Sequence, residues 1–142
     1  MARIYERRLD QGGSQDYQKE QVLAIQYLSK AIELQKEFGL DEDLASSLNN
    51  LAGLYSSQGR YEEAEPLYEQ ALELSQRNLG ENHPDVATSL NNLAGLYRSQ
   101  GRYEEAEPLY EQALELCERV LGVNHPNTIT MRKNLKGLRA VM

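Results

Sequence analysis

Leu48, Leu51, Ala52 and Tyr55 stand at i, i+3, i+4 and i+7, with Asn49, Asn50, Gly53 and Leu54 between them. This spacing puts the apolar residues on one face of a helix over roughly 43–57. Gln58-Gly59 follows as a turn, glycine being the residue that readily takes a positive φ. A second stripe begins at once with Ala64, Leu67, Tyr68, Ala71 and Leu72, predicting a helix over roughly 61–78 that stops at Gly80. The same order of elements returns at 85–99 and 103–120, and Gly122 closes it. Pro84 and Pro126 fall where the first helix of a unit begins, a position at which proline gives up no helical hydrogen bond. Asp85 favours the same helix N-terminus electrostatically. Pro66 and Pro108 fit less well. They lie some five residues inside the second helix, where a proline costs about 3 kcal/mol. That helix is expected either to start later or to bend there.

The recurrence is nearly literal. Ser57–Leu74 and Ser99–Leu116 are identical, and Asp43–Pro84 differs from Asp85–Pro126 at only 44, 46, 56, 75, 76, 78 and 81. The unit restarts at GVNHPNTITMRKNLKGL and runs out after one helix. Backwards it decays: AIEL at 31–34 matches ALEL at 71–74, and MARIY at 1–5 is like LAGLY at 51–55. Residues 1–40 are therefore read as a degenerate first repeat. An insertion of about ten residues around Gly12-Gly13 lies within Glu6–Lys19, and Met1 starts inside a helix. A pair of short helices has one apolar face and cannot bury it alone, whereas stacked copies bury each other. The expected fold is all-α, a solenoid of antiparallel helix pairs. The domain spans 1–142, with units at 1–40, 43–84 and 85–126 and a C-terminal capping helix at 127–142.

These residues resemble the tetratricopeptide repeat. Leu48, Leu51, Ala52, Tyr55, Gly59, Tyr61, Ala64, Tyr68 and Ala71 match its pattern, and so do their counterparts from Leu90 to Ala113. The 42-residue period, with LNNLA, YEEAEPLY and G-x-NHP, resembles the kinesin-light-chain subclass; the usual period is about 34. Two departures stand out. Leu48 and Leu90 hold the signature Trp position, and Gln76 and Glu118 hold the late-helix Pro position. In the last helix Arg132, Lys136 and Arg139 replace the Leu, Ala and Tyr of the core stripe, as a terminal helix with no further neighbour requires. The resemblance implies a right-handed superhelix whose first helices line a concave, peptide-binding side.

A helical wheel at about 100° per residue agrees with that division. Opposite the core stripe lie Ser46, Asn49, Asn50, Gly53 and Ser57. One repeat on come Thr88, Asn91, Asn92, Gly95 and Ser99, and then Thr130, Lys133, Asn134, Gly137 and Val141. Asn50, Asn92 and Asn134 form a ladder of one rung per repeat. An amide side chain offers both donor and acceptor, so it can pair with a peptide backbone whatever its sequence. It can equally bond a neighbouring helix. Gly53, Gly95 and Gly137 either leave room for a ligand backbone or serve tight helix packing. Arg98, Arg132, Lys133, Lys136 and Arg139 make the far end basic, with no acid over 127–142, and suit an acidic peptide or simply a solvated cap. The expected peptide site comprises Asn49, Asn50, Asn91, Asn92, Arg98, Lys133 and Asn134. The carboxylate clamp of chaperone-binding relatives is not expected, since Thr88 and Asn92 stand where basic residues would be needed.

Composition narrows the classes further. The chain carries a net charge of −7 and a pI near 4.9, against a general nucleic-acid or anionic-membrane binder. It has no apolar run of about 18 residues and no apolar signal core at MARIYERRLD. One cysteine, Cys117, forms no internal disulfide and fits a reducing, cytoplasmic setting. Its counterpart Ser75 argues for an inert thiol. His83 and His125 recur in G-x-NHP as helix-entry residues, and two histidines without cysteines make no zinc site. Phosphate loops and catalytic sets are absent, so no enzyme and no cofactor are expected. The leading expectation is a module binding a protein or peptide. The alternative is a scaffold that self-associates as a homo-oligomer, a piece of a longer array. The near-identity of its units fits either recent duplication or consensus engineering.

Overall fold

The computed structural model describes the backbone from Ala2 and side chains from Asp16 onward. Six helices follow in order: α1 (Ala2–Phe38), α2 (Asp41–Ser57), α3 (Tyr61–Leu79), α4 (Pro84–Ser99), α5 (Tyr103–Leu121) and α6 (Pro126–Val141). Each packs chiefly on its neighbours in sequence, with only a slight direct contact between α2 and α4. The core is accordingly a line. One cluster joins Ile32 of α1 to Leu44, Leu48 and Leu51 of α2 and Ala71 and Leu74 of α3. The next joins Ala52 and Tyr68 to Leu93, Ala94 and Tyr97 and on to Tyr110, Leu135 and Leu138. A third closes Val86 and Leu90 against Leu116, Cys117 and Met131. The expected stripes are the buried ones: Leu48, Leu51 and Ala52 in α2, and Leu90, Leu93, Ala94 and Tyr97 in α4.

Local chemistry fixes the joints. Gly59 and Gly101 both hold φ of 75°, and the amides of Arg60 and Arg102 reach back to the carbonyls of Tyr55 and Tyr97 at 2.8 Å. Side chains complete each turn: Arg60 lies over the Tyr55 ring at 4.4 Å and Arg102 over Tyr97 at 4.2 Å. Such stacking contributes about 0.5–1 kcal/mol at exposed sites. Arg102 also reaches Glu65 of the preceding α3 at 3.2 Å, which ties one repeat to the next. At the other joint, His83 Nδ1 accepts from the Asp85 amide and His125 Nδ1 from the Asn127 amide, both at 3.1 Å. The two histidines are the N-caps of α4 and α6, as their place before Pro84 and Pro126 suggested.

Two expectations change. Residues 1–40 were read as a helix pair broken by an insertion, but α1 runs unbroken for 37 residues through Gly12-Gly13. Each glycine costs a helix about 1 kcal/mol, which helix-favouring neighbours such as Glu6, Arg7, Arg8 and Gln11 can absorb. The likeness of Met1–Tyr5 to a core-facing stripe falls outside the described side chains. The second helices do not start late, either. They begin at Tyr61 and Tyr103 and contain Pro66 and Pro108, both of which face solvent. The carbonyls left without an amide partner belong to Glu62 and Glu104, exposed residues on the first turn of each helix.

Candidate functional site: the face shared by α2, α4 and α6

The polar residues opposite the core stripes gather on one side of the array. Ser46, Asn50 and Ser57 of α2, Thr88 and Ser99 of α4 and Thr130 and Lys133 of α6 are all exposed. Asn49, Asn91, Asn92 and Asn134 are partly buried, because adjacent first helices approach each other there. One contact closes between rungs: Asn134 Nδ2 donates to Asn91 Oδ1 at 2.8 Å. One repeat earlier the equivalent residues are Asn92 and Asn49, and Asn49 Oδ1 is buried without a partner. The ladder is thus not uniform. Its α6 rung is engaged between helices, its α2 rung Asn50 faces solvent, and an unused acceptor lies beside it.

That acceptor borders a cleft of 210 Å³ between the N-terminal halves of α2 and α4, floored by the end of α3. Ser46, Asn49 and Thr88 line it, with Leu74 and Leu79 beneath and Asp41, Glu42 and Asp85 at the rim. Sequence reasoning noticed Asn49 and Thr88 but missed the carboxylate rim, which unites helix starts some forty residues apart. Their helix-N-terminal placement was the available signal. It also missed the Tyr55–Arg60 and Tyr97–Arg102 stacks, although that spacing recurs in both units.

The glycines of this face are not bare groove floor. A Cβ at Gly53 would meet the Tyr68 hydroxyl at 3.6 Å, and one at Gly95 the Tyr110 hydroxyl at 3.7 Å. Each faces the second helix of its own unit at ordinary contact distance. Gly137 has no such helix, and the Arg98 guanidinium occupies the space instead, 3.3 Å from a Cβ there. Arg98 is therefore half-buried against α6 and near Tyr110, whose phenol is raised by burial while Arg98 partly offsets the shift. Lys133 remains exposed, whereas Arg132 pairs with Glu118, and Arg139 with Glu107 and Glu111 of α5. Much of the basic end is thus spent on capping.

Other chemistry is sparse. Cys117 is free and buried, and burial raises its thiol above the ordinary range. Among the described residues no group of three or more His, Cys, Asp or Glu side chains could hold a metal ion, and no helix is long and apolar enough to cross a membrane.

A family model described as tetratricopeptide repeat matches residues 43–117 and 85–139. The structure is similar to that of BtubC (BKLC) from P. vanneervenii, with a TM-score of 0.73 and 29% identity over 82% of this chain and 47% of that one. It is also similar to a Podosopora anserina putative kinesin light chain with nearly identical TPR-like repeats. There the TM-score is 0.72 at 25% identity, over 80% of this chain and 55% of that one. A nucleotide-binding leucine-rich repeat (NLR)-like protein of Hyaloscypha variabilis is 48% identical over 44 residues, 31% of this chain and 4% of that protein. The chain thus spans about half the length of these solved relatives and a small part of the fungal one.

Proposed function

Because this chain belongs to the tetratricopeptide repeat family, with kinesin-light-chain-like relatives, we propose that it is a non-catalytic module holding an extended segment of a protein partner along α2, α4 and α6. Repeats of this family generally mediate protein–protein interaction. The observation that carries the finer reading is the unpartnered Asn49 oxygen at the cleft beside exposed Asn50. A buried acceptor without a donor costs about 1–3 kcal/mol. A ligand amide placed there recovers that cost.

The charge along the face orients the segment. Its acidic portion lies toward Lys133 at the α6 end. A neutral or basic residue lies at the cleft, against Asp41, Glu42 and Asp85. Asn92 sits between the two and supplies a further backbone contact. The reducing, cytoplasmic setting that the buried lone thiol suits belongs to the same reading.

Selection of peptides from a random library tests it, with counter-selection against a folded Asn50→Ala/Asn92→Ala variant. Peptides kept by the parent chain and lost by the variant support the reading. An empty selection, or peptides indifferent to both substitutions, overturns it.

A further inference from the structure

Near-identical repeats allow one junction between first helices to be compared with the next. The first junction, between α2 and α4, holds the cleft of 210 Å³. The second, between α4 and α6, is built from the residues 42 positions further on. Where the first has Ser89, 1% exposed, the second has Met131, 6% exposed. A flexible methionine fills a gap that serine leaves open. Ser75 and Asn78 likewise give way to Cys117 and Val120. The amide of the second junction is engaged as well, since Asn91 Oδ1 accepts from Asn134. Its counterpart in the first, Asn49 Oδ1, is buried with no donor.

Charge divides the two junctions in the same way. Asp41, Glu42 and Asp85 rim the first, and no basic residue lines it. Their counterparts in the second are His83, Pro84 and Asn127. His83 stands 3.8 Å from the Asp85 carboxylate, but its Nδ1 accepts from the Asp85 amide and so carries no proton to neutralise it. A helix N-terminus is worth about half a positive charge. The two helix starts therefore leave three carboxylates in excess, and the mouth of the cleft stays negative.

That chemistry selects an occupant. A volume of 210 Å³ lies below the roughly 300–1,000 Å³ of pockets that enclose a whole small molecule, so the cleft suits a single side chain. Among the described residues no group of His, Cys, Asp or Glu could hold a metal ion, so the cation is organic. Leu74 and Leu79 offer an apolar floor for a methylene stem. Carboxylates and the Asn49 oxygen accept only, and the Ser46 and Thr88 hydroxyls can accept too. A guanidinium brings five donors in a planar fork and is more weakly hydrated than an ammonium. We propose that this cleft is an arginine subsite, taking one arginine side chain of the bound partner segment. The inference rests on the peptide reading of this face for the source of that arginine. A ladder of asparagines pairs with any backbone and leaves a segment free to slide. One acidic cleft, not repeated at the next junction, fixes its register.

Nuclear magnetic resonance titration of the whole chain at low salt is the test, with N-acetyl-arginine amide, its lysine analogue and the neutral citrulline analogue as probes. A single blocked residue needs no other part of the face. Failure of the subsite is therefore separable from failure of the peptide site, which the library selection reads. Arginine is expected to shift the Asn49 side-chain amide and the Thr88 backbone amide saturably, and more tightly than lysine, while citrulline leaves them in place. Asp41→Asn combined with Asp85→Asn is expected to weaken arginine about ten-fold. Ser89→Met, its fold checked by circular dichroism, keeps every charge and is expected to abolish binding by filling the cleft. No saturable shift with arginine overturns the proposal. So does equal binding of lysine or citrulline, binding that survives Ser89→Met in a folded chain, or indifference to the paired Asp substitutions.

Discussion

Asn134 and Asn91 are joined across two first helices by a 2.8 Å hydrogen bond, while Asn92 and Asn49, the same two positions one repeat earlier, leave the Asn49 oxygen without a partner. Near-identical sequence thus yields one closed contact and one open one. Asn134→Ala breaks a bond and strands Asn91, and is expected to cost about 0.5–1.5 kcal/mol. Asn92→Ala is expected to cost less, since no such bond is lost. Urea unfolding of the two variants against the parent chain checks the ordering. Equal losses would show that both rungs are closed in solution.

Gly95→Ala is expected to stabilise the chain by about 1 kcal/mol, because the glycine is mid-helix and a Cβ meets only the Tyr110 hydroxyl at 3.7 Å. Gly101→Ala has the opposite sign, about 1–2 kcal/mol lost, since φ there is 75°. Thermal melts of both variants decide it. A selected peptide that binds Gly95→Ala more weakly, although that variant is more stable, would show the ligand backbone passing close to Gly95.

Thr128 is fully buried, and its hydroxyl has no partner. Leu44 and Val86 occupy this place in the earlier units, both buried. Thr128→Val keeps the shape and removes the stranded hydroxyl, so a gain of about 1 kcal/mol is expected in denaturant unfolding. A loss would mean that the hydroxyl finds a bond in solution.

His125 caps α6 through Nδ1. His125→Ala is expected to cost about 1 kcal/mol, whereas His125→Asn, whose side-chain oxygen can accept from the same amide, is expected to cost little. Amide hydrogen exchange at Asn127 reports the cap directly, and equal exchange in both variants would dismiss it.

Tyr97 is pushed up to about 12, first by burial and then by the neighbouring Glu65 carboxylate. Its raised value means that the folded chain prefers the neutral phenol. The associated stability is whole below pH 10, the ordinary tyrosine value, and is lost as pH climbs toward 12. Absorbance titration of tyrosinate should show Tyr97 as a late component that Glu65→Gln moves downward. An unmoved component would detach Glu65 from the phenol.

The sequence alone determined the linear architecture. Its stripes at Leu48–Tyr55 and Ala64–Leu72 are periodic, its breaks fall on Gly59 and Gly80, and its cap histidines precede prolines, all local signals that a helix reads within a few residues. It also placed the asparagines together, because a wheel and a fixed period suffice for that. The tertiary structure decided what depends on neighbours. Whether an asparagine finds a partner on the next first helix depends on the local side-chain geometry between them, which closes Asn134 on Asn91 and leaves the Asn49 oxygen open. The glycines showed the same limit: one wheel position serves groove or packing, and only the tertiary structure shows that a Cβ at Gly53 or Gly95 would meet a tyrosine hydroxyl at ordinary contact distance. The long α1 was illegible for a related reason. Gly12-Gly13 weakens a helix without forbidding it, so the choice between a turn and a straight run rested on cooperative propagation along the whole segment and not on the two residues themselves.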